Sequence, residues 1–351
     1  MTPHTTSTLI ACAFTSILFA TTALADDCRL GRVATADFTE NGLIIVPVTL
    51  DGTREPMALD TGAPLSAVDP VVAKNLGLIE KRMFQAVYNA NGEVVTYLAV
   101  VHNLGIGDMH GNDVKMIVWP SPMTKDGRIA GTLGADLLRN YDIDIDFGAR
   151  RLSLFSQEHC PGRVVYWTND NVAVVPIHVV NSGHIVLPVK LDGHDVDAIL
   201  DLGSSRSQVS MEFAHDLFGL ESNSPGMEQV GAVSGSVQTA VYRHTFKSLS
   251  VEGLTINNPT FYIWDNLVKY SATQAPPTGS RLNDLRESEG HTDVTLGLAE
   301  LNQLHVYIAY KEQKLYMSAA SAPVTVASSA APAAPASSAP AATPSAPAAP
   351  H

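Results

Sequence analysis

Ala58-Leu59-Asp60-Thr61-Gly62-Ala63 has a counterpart later in the chain, Ile199-Leu200-Asp201-Leu202-Gly203-Ser204. In each stretch an apolar run delivers one aspartate into a turn that contains a glycine. A carboxylate at the end of a buried strand is costly unless another group satisfies or uses it. Asp60 and Asp201 are therefore the first candidates for chemistry. One such aspartate in each stretch predicts a site in which two carboxylates face each other.

The two stretches belong to a duplication that covers most of the chain. Ile45–Leu76 aligns with Val186–Leu217 without a gap, with 12 identities in 32 positions. Further on, Leu133-Gly134 matches Leu296-Gly297 in the same order. Ordered matching of this kind indicates an internal repeat. We therefore expect two homologous lobes.

Segment boundaries follow from the repeat and from local composition. We expect the two lobes to occupy residues 26–160 and 161–318. Residues 319–351 consist almost only of alanine, proline, serine and threonine, and because such a segment cannot bury a core we expect a disordered tail. The second copy also carries a polar insertion at 270–293, whose length is typical of a functional lid or of a mobile surface loop.

Within each copy the local pattern is that of strands. Leu43–Leu50 is rich in β-branched residues and ends at Asp51-Gly52, which predicts a strand running into a hairpin turn. Asp69–Leu78 has helical spacing and stops near Gly77, so we expect one short helix there. The predicted fold class is therefore mainly β.

Composition argues against several classes of partner. The chain has 351 residues, 45% of them hydrophobic, and a formal net charge of −13 without any cluster of lysine or arginine. Nucleic acids and anionic membrane surfaces are bound through basic patches, so we expect neither as a partner.

Other catalytic and metal-binding patterns are missing from the sequence. The twelve histidines include no His-x-x-x-His pair typical of a zinc helix, and no Gly-x-Ser-x-Gly elbow is present. Asp142, Asp144 and Asp146 alternate on β-prone sequence, which indicates one polar strand face rather than a calcium loop. We therefore expect neither a metal nor a cofactor.

The first 25 residues have the features of a secretory signal. Leu9–Ala20 is apolar, and Ala23-Leu24-Ala25 offers small residues before the predicted cleavage site. Because the apolar run is shorter than the roughly 20 residues of a membrane span, we expect a periplasmic or secreted protein with no integral span in the mature chain. In such an oxidising compartment Cys28 and Cys160 are predicted to form a disulfide, the alternative being two unpaired thiols.

With these motifs the chain resembles the retropepsin-like aspartic proteases. The resemblance rests on Leu59–Ala63 together with Thr132–Leu138 and covers both repeats. It implies a closed, β-barrel-like lobe per repeat, the two packed as a pseudo-twofold pair with a cleft between them and the aspartate turns at their junction. It also implies that Asp60 and Asp201 share a proton, so that one carboxyl accepts a proton from water while the other donates one to the peptide carbonyl.

The resemblance assigns supporting roles to neighbouring residues. Gly62 and Gly203 are expected to let each backbone turn tightly enough to aim its carboxylate inward. Thr61 matches the threonine that braces the two loops across the interface between lobes. Leu202 departs from the pattern, because a leucine side chain cannot form a hydrogen bond, and Ser204 is the candidate substitute.

A hairpin in each copy is a candidate flap. The strands around Asn89-Ala90-Asn91-Gly92 are predicted from the Asn-Gly pair, which favours a tight hairpin turn. The equivalent tip in the second copy includes Ser234 and Gly235. Each hairpin is either a flap that closes over the cleft or an ordinary surface hairpin.

Three interpretations stay open on the sequence alone. Asp60 and Asp201 form a dyad within one chain, or Asp60 pairs with its own copy in a dimer, or the fold binds a peptide or protein without cutting it because Leu202 replaces the motif threonine. The first interpretation predicts an exported, monomeric aspartic endopeptidase that acts on peptide or protein substrates.

Overall fold

The computed structural model describes residues 29–88, 93–124, 128–233, 239–264 and 293–320. The first copy contributes β1 (Arg32–Asp37), β2 (Thr39–Glu40), β3 (Ile44–Leu50), β4 (Thr53–Leu59), β5 (Ala67–Val68), α1 (Pro70–Asn75), β6 (Glu80–Tyr88), β7 (Val94–Ile106), β8 (Met109–Val118), β9 (Gly131–Leu133), α2 (Ala135–Leu138), β10 (Asp142–Asp146) and β11 (Arg151–Phe155). The second copy contributes β12 (Ala173–Pro176), β13 (His178–Val179), β14 (Ile185–Leu191), β15 (His194–Leu200), β16 (Gln208–Ser210), α3 (Met211–Phe218), β17 (Glu228–Val233), β18 (Thr239–Thr245), β19 (Ser248–Val251), β20 (Leu254–Asn257), β21 (Thr260–Trp264), β22 (Val294–Leu296), α4 (Leu298–Leu301), β23 (Leu304–Ala309) and β24 (Lys314–Ala319). The predicted mainly β fold with two homologous lobes is confirmed.

The first lobe contains a closed barrel. Its sheet runs β2-β3-β4-β9-β5-β8-β7-β6, and β7 also pairs with β3, which joins six of these strands into a ring. In the closing pair Val48 lies opposite Ile106 and Leu50 opposite Leu104. Strand β3 alternates buried and half-buried residues, as expected of a strand with one face in a barrel interior.

The second lobe repeats this arrangement with two of its strands interrupted. Its sheet runs β17-β18-β21-β16-β22-β15-β14-β19-β20. The counterpart of the closing strand β7 is divided here into β18 and β19, and that of β8 into β20 and β21. Pro259, which lies between β20 and β21, has no N–H group with which to continue the ladder. Two hydrogen bonds of 3.0 Å, from the N–H of Phe246 to the carbonyl oxygen of Pro259 and from the N–H of Asn258 to that of Lys247, continue the pairing across this interruption.

A third sheet is shared by the two lobes. Its order is β1-β11-β10-β23-β24-β12, so each lobe contributes three strands. The lobes meet where β10 pairs antiparallel with β23, with Ile143 opposite Ile308. Both isoleucines are fully buried in a hydrophobic core that contains residues of both copies. The sheet therefore couples the lobes through backbone hydrogen bonds as well as through apolar packing.

The opposite face of the shared sheet carries the alternating aspartates predicted from the sequence. This polar face is buried, because the segment between β11 and β12 packs over it and places Val164 in a small aromatic cluster. His159 Nε2 lies 2.6 Å from a carboxylate oxygen of Asp142, and His305 Nε2 lies 2.5 Å from one of Asp144. These carboxylates therefore have protein partners.

Local sequence signals account for the turns and for the first helix. Asp51 and Gly52 both have positive φ angles, 48° and 88°, as a two-residue hairpin turn requires. Helix α1 begins after Asp69, whose side chain accepts a hydrogen bond of 2.8 Å from the N–H of Val71. The predicted hairpin and helix are confirmed, although the helix is shorter than the segment that predicted it.

Within the ranges given above, no helix has the length and hydropathy of a membrane span. The same described residues include no group of three or more histidine, cysteine, aspartate or glutamate side chains placed to hold a metal ion.

Candidate active site

Two equivalent turns place the predicted aspartates at the junction of the lobes. Strand β4 runs parallel to β9, and the N–H of Asp60 at its end donates to the carbonyl oxygen of Leu133 at 3.0 Å. Strand β15 runs parallel to β22, and the N–H of Asp201 donates in the same way to Leu296 at 2.9 Å. The duplicated Leu-Gly segments therefore anchor the two aspartates alike.

The carboxyl groups of Asp60 and Asp201 lie side by side, each against the glycine of the opposite turn, and the charge of Asp60 raises the pKa of Asp201. Each also accepts a hydrogen bond of 2.9 Å from a backbone N–H two residues later, that of Gly62 or of Gly203. Both side chains are half-buried. The structure thus brings together the four residues that the duplication singled out.

The two glycines allow a close approach between the aspartate turns. Neither Gly62 nor Gly203 has a positive φ angle. A methyl group on Gly62 would lie 2.5 Å from Cγ of Asp201, and one on Gly203 would lie 2.2 Å from Cγ of Asp60. Each carboxyl therefore packs against the opposite turn, which gives these glycines a second role beside the turn expected of them.

The surroundings of Asp60 and Asp201 raise the pKa of both carboxyl groups. Burial, together with the charge of Asp60, raises the pKa of Asp201 to about 7. Burial also raises the pKa of Asp60, against the N–H groups of Gly62 and Ala63 and the charge of His184, which lower it. Two adjacent carboxyls that cannot both ionise readily share one proton, and the pair titrates as a unit.

A single threonine makes the brace between the two turns. The buried hydroxyl of Thr61 donates to the carbonyl oxygen of Leu200 at 2.8 Å and accepts from the N–H of Leu202 at 3.0 Å. Leu202 is fully buried in the shared core and cannot return these bonds. Ser204 does not replace them, because its hydroxyl donates to the carbonyl of Arg206 within its own lobe and accepts from Gln208.

A histidine that the sequence analysis did not select contacts the first turn from the second lobe. Nε2 of His184 lies 2.8 Å from the carbonyl oxygen of Gly62, and Nδ1 lies 3.1 Å from Oγ of Ser182. Because a carbonyl oxygen only accepts, Nε2 carries the hydrogen of this bond. The repeat offered a signal that could have selected this residue, because the polar His184 aligns with the apolar Leu43 of the first copy.

Each turn is also held by a buried serine and an acid that sequence reasoning missed. The hydroxyl of Ser66 donates to Asp136 at 2.6 Å and accepts from the N–H of Gly134 at 2.9 Å. In the second lobe Ser207 donates to Glu300 and accepts from the N–H of Gly297 at 3.0 Å. An acid soon after each Leu-Gly pair was the signal that could have predicted these contacts.

Several predicted residues lie outside the part of the chain that the structure describes. These are the candidate flap residues Asn91, Gly92, Ser234 and Gly235, together with Cys28. Cys160 is half-buried after β11. The flaps and the Cys28–Cys160 disulfide therefore stay predictions.

A family model and two solved structures are similar to this chain. A family model described as aspartyl protease matches residues 46–137 and again residues 187–298, together more than half of the chain. No curated protein sequence matches. The chain is similar to the crystal structure of aspartic proteinase from Irpex lacteus, with 12% identity and a TM-score of 0.44 over 83% of this chain and 98% of that one. It is also similar to basic 7S globulin from soybean, with 9% identity and a TM-score of 0.45 over 84% of this chain and 96% of that one.

Proposed function

This chain belongs to the aspartyl protease family, and on that premise we propose that it is an exported aspartic endopeptidase whose catalytic residues are Asp60 and Asp201. The observation that carries the proposal is the pair of adjacent carboxyls, one from each lobe, with pKa values raised by burial. The expected substrate is a peptide or protein, and no cofactor is required.

The chemistry needs one carboxylate and one carboxylic acid at the same time. Peptide hydrolysis proceeds when the carboxylate accepts a proton from the attacking water while the acid donates one to the carbonyl oxygen. The tetrahedral intermediate then collapses when a carboxyl protonates the leaving nitrogen, which breaks the C–N bond and releases an acid and an amine. The shared proton on Asp60 and Asp201 supports both roles.

The leucine at position 202 is compatible with this proposal. Thr61 alone makes both hydrogen bonds to the second turn, at 2.8 and 3.0 Å. The carboxyls keep the same N–H donors in both lobes, from Gly62 and Gly203. The loss of a second threonine therefore does not by itself remove the dyad.

We propose further that the protein acts as a monomer in the periplasm or outside the cell, after removal of residues 1–25. The support is the signal-like leader and the duplication, which supplies both aspartates in one chain. The amino-terminal sequence of the protein recovered from an exporting host tests the cleavage site, which we expect after Ala25.

The test of the activity is hydrolysis of a mixed peptide library from acid to neutral pH by the mature protein. We expect cleavage that weakens as the pH rises through about 7, where the pair loses its shared proton. Asp60→Asn and Asp201→Asn should each lower the rate by about 10²- to 10⁴-fold, since each removes a proton-transfer group.

Asp197→Asn is the matched control, because Asp197 is an exposed aspartate on the strand that leads to Asp201. It should cleave at the unmodified rate. A protein that binds library peptides but cuts none at any pH would overturn the proposal and favour a binding module.

A further inference from the structure

The first aspartate turn accepts a hydrogen bond from a side chain of the second lobe. The carbonyl of Gly62 accepts from His184 of the other lobe. In the alignment of the two copies, His184 matches Leu43, whose side chain has no hydrogen-bond donor. The first aspartate turn thus receives a contact that Leu43 cannot give to the second.

The peptide group that His184 contacts is the one that binds Asp60. The N–H of Gly62 donates to Oδ1 of Asp60 at 2.9 Å, and the N–H of Ala63, which shares a peptide unit with the carbonyl of Gly62, lowers the pKa of Asp60. A hydrogen bond to a peptide carbonyl polarises the unit and strengthens donation by its N–H. His184 therefore acts on Asp60 through one rigid peptide plane.

The same contact joins the lobes where the threonine brace is incomplete. Thr61 bonds to the backbone on both sides of Asp201, whereas Leu202 can offer nothing to the backbone around Asp60. The turn that precedes His184 also packs on the first lobe, since a methyl group on Gly183 would lie 2.5 Å from Cβ of Ala135. The segment Gly183-His184 thus contacts the first lobe at Ala135 and at Gly62.

We propose that His184 is a positioning residue of the dyad, which holds the Gly62–Ala63 peptide against Asp60 and replaces the contact that Leu202 cannot make. This inference rests on the proposed function for its effect on catalysis. The charge of the His184 ring, when it is protonated, also favours the ionised form of Asp60.

Three variants distinguish the effect of the hydrogen bond donated by His184 from the effect of the size of its side chain. His184→Leu installs the residue of the first copy and removes the donor, whereas His184→Gln keeps an N–H. Leu202→Thr, added to His184→Leu, restores the second half of the threonine brace. The control is His178→Leu, which changes an exposed histidine on β13.

We expect His184→Leu to lower kcat on the order of tenfold with little change in KM, because a small misplacement of a reacting group can cost up to about 10²-fold. His184→Gln should stay within about threefold of the unmodified protein, and Leu202→Thr should recover part of the loss. Loss of activity in His184→Gln equal to that in His184→Leu would overturn the role of the donor.

Hydrogen–deuterium exchange of the peptide that contains Asp60–Ala63 provides a readout that needs no turnover. Exchange should accelerate in His184→Leu and return towards the original rate when Leu202→Thr is added. Unchanged exchange and unchanged kcat in His184→Leu would overturn the inference while leaving the protease proposal intact. If the unmodified protein cuts nothing, the protease proposal fails, and the exchange rates still decide whether His184 holds the turn.

Discussion

At the residue scale, Asp60 and Asp201 occupy equivalent positions in unequal surroundings. Both accept an N–H from the glycine two residues later, and both pack against the opposite turn. His184 contacts the turn of Asp60 through the carbonyl of Gly62, whereas Asp201 carries the strongly raised pKa, about 7. The duplicated sequence supplies two similar carboxyls, and one unduplicated residue distinguishes them.

This raised pKa leads to a prediction about stability. A carboxyl whose pKa is higher in the folded than in the unfolded chain stabilises the fold fully below its unfolded pKa of about 4, and this contribution is lost as the pH rises through the folded pKa. For Asp201 the loss extends up to about pH 7. Asp201→Asn cannot ionise, so it should raise Tm at pH 8 by on the order of a few °C and change it little at pH 4.

Thermal unfolding of both proteins at the two pH values measures this difference. Asp197→Asn, at an exposed position on the same strand, should give no such gain. An equal shift of Tm at pH 4 and pH 8 would contradict the prediction, because it would show that the gain does not come from ionisation.

At the scale of elements, the aspartate turns are held by short polar contacts between segments that are distant in sequence. Ser66 connects the turn after β4 to the start of α2 through Asp136, and Ser207 does the same for α4 through Glu300. Each serine is fully buried. These contacts fix the loops that carry the dyad relative to the barrel strands beneath them.

Removal of either hydroxyl should therefore destabilise its lobe. Ser66→Ala leaves the N–H of Gly134 without its acceptor, and Ser207→Ala does the same to Gly297. A buried polar group without its partner costs about 1–3 kcal/mol, so we expect each variant to lose that much free energy of unfolding. Denaturant unfolding monitored by tryptophan fluorescence measures it.

The matched control is Ser222→Ala, since Ser222 is exposed. Surface changes of this kind usually stay within about 0.5 kcal/mol. A loss in Ser66→Ala or Ser207→Ala as small as that of Ser222→Ala would show that these hydroxyls contribute little to holding the loops.

At the scale of the whole molecule, the two lobes form one structural unit. The shared sheet pairs β10 with β23, and the segment between β11 and β12 covers its polar face. Trp167 of that segment stacks on His305 with ring centres 4.3 Å apart. The two aspartates therefore come from lobes joined by backbone pairing within one chain.

A mixing experiment tests whether the dyad forms within one chain. If it does, Asp60→Asn and Asp201→Asn proteins are both inactive, and an equimolar mixture of them is inactive as well. Activity of Asp201→Asn alone, or recovery of activity on mixing, would instead show that aspartates of different chains meet. Light scattering on the unmodified protein should give the mass of a single chain.

The sequence alone predicted what local chemistry and repetition determine. The aspartate turns, the Asp-Gly hairpin and the first helix depend on residues close together in the chain, and the duplication predicted a second lobe with a second aspartate. The replacement of the motif threonine by Leu202 was also evident from the alignment of the two copies. These features needed no knowledge of which distant segments meet.

The tertiary structure alone decided which distant groups meet. Only the folded chain brings His184 to the carbonyl of Gly62, stacks each carboxyl on the opposite glycine, and buries Asp142 beneath the segment that contains His159. It also divided the closing strand of the second barrel. Such contacts depend on the register and packing of strands far apart in the chain, and neither hydrophobic periodicity nor a short motif carries that information.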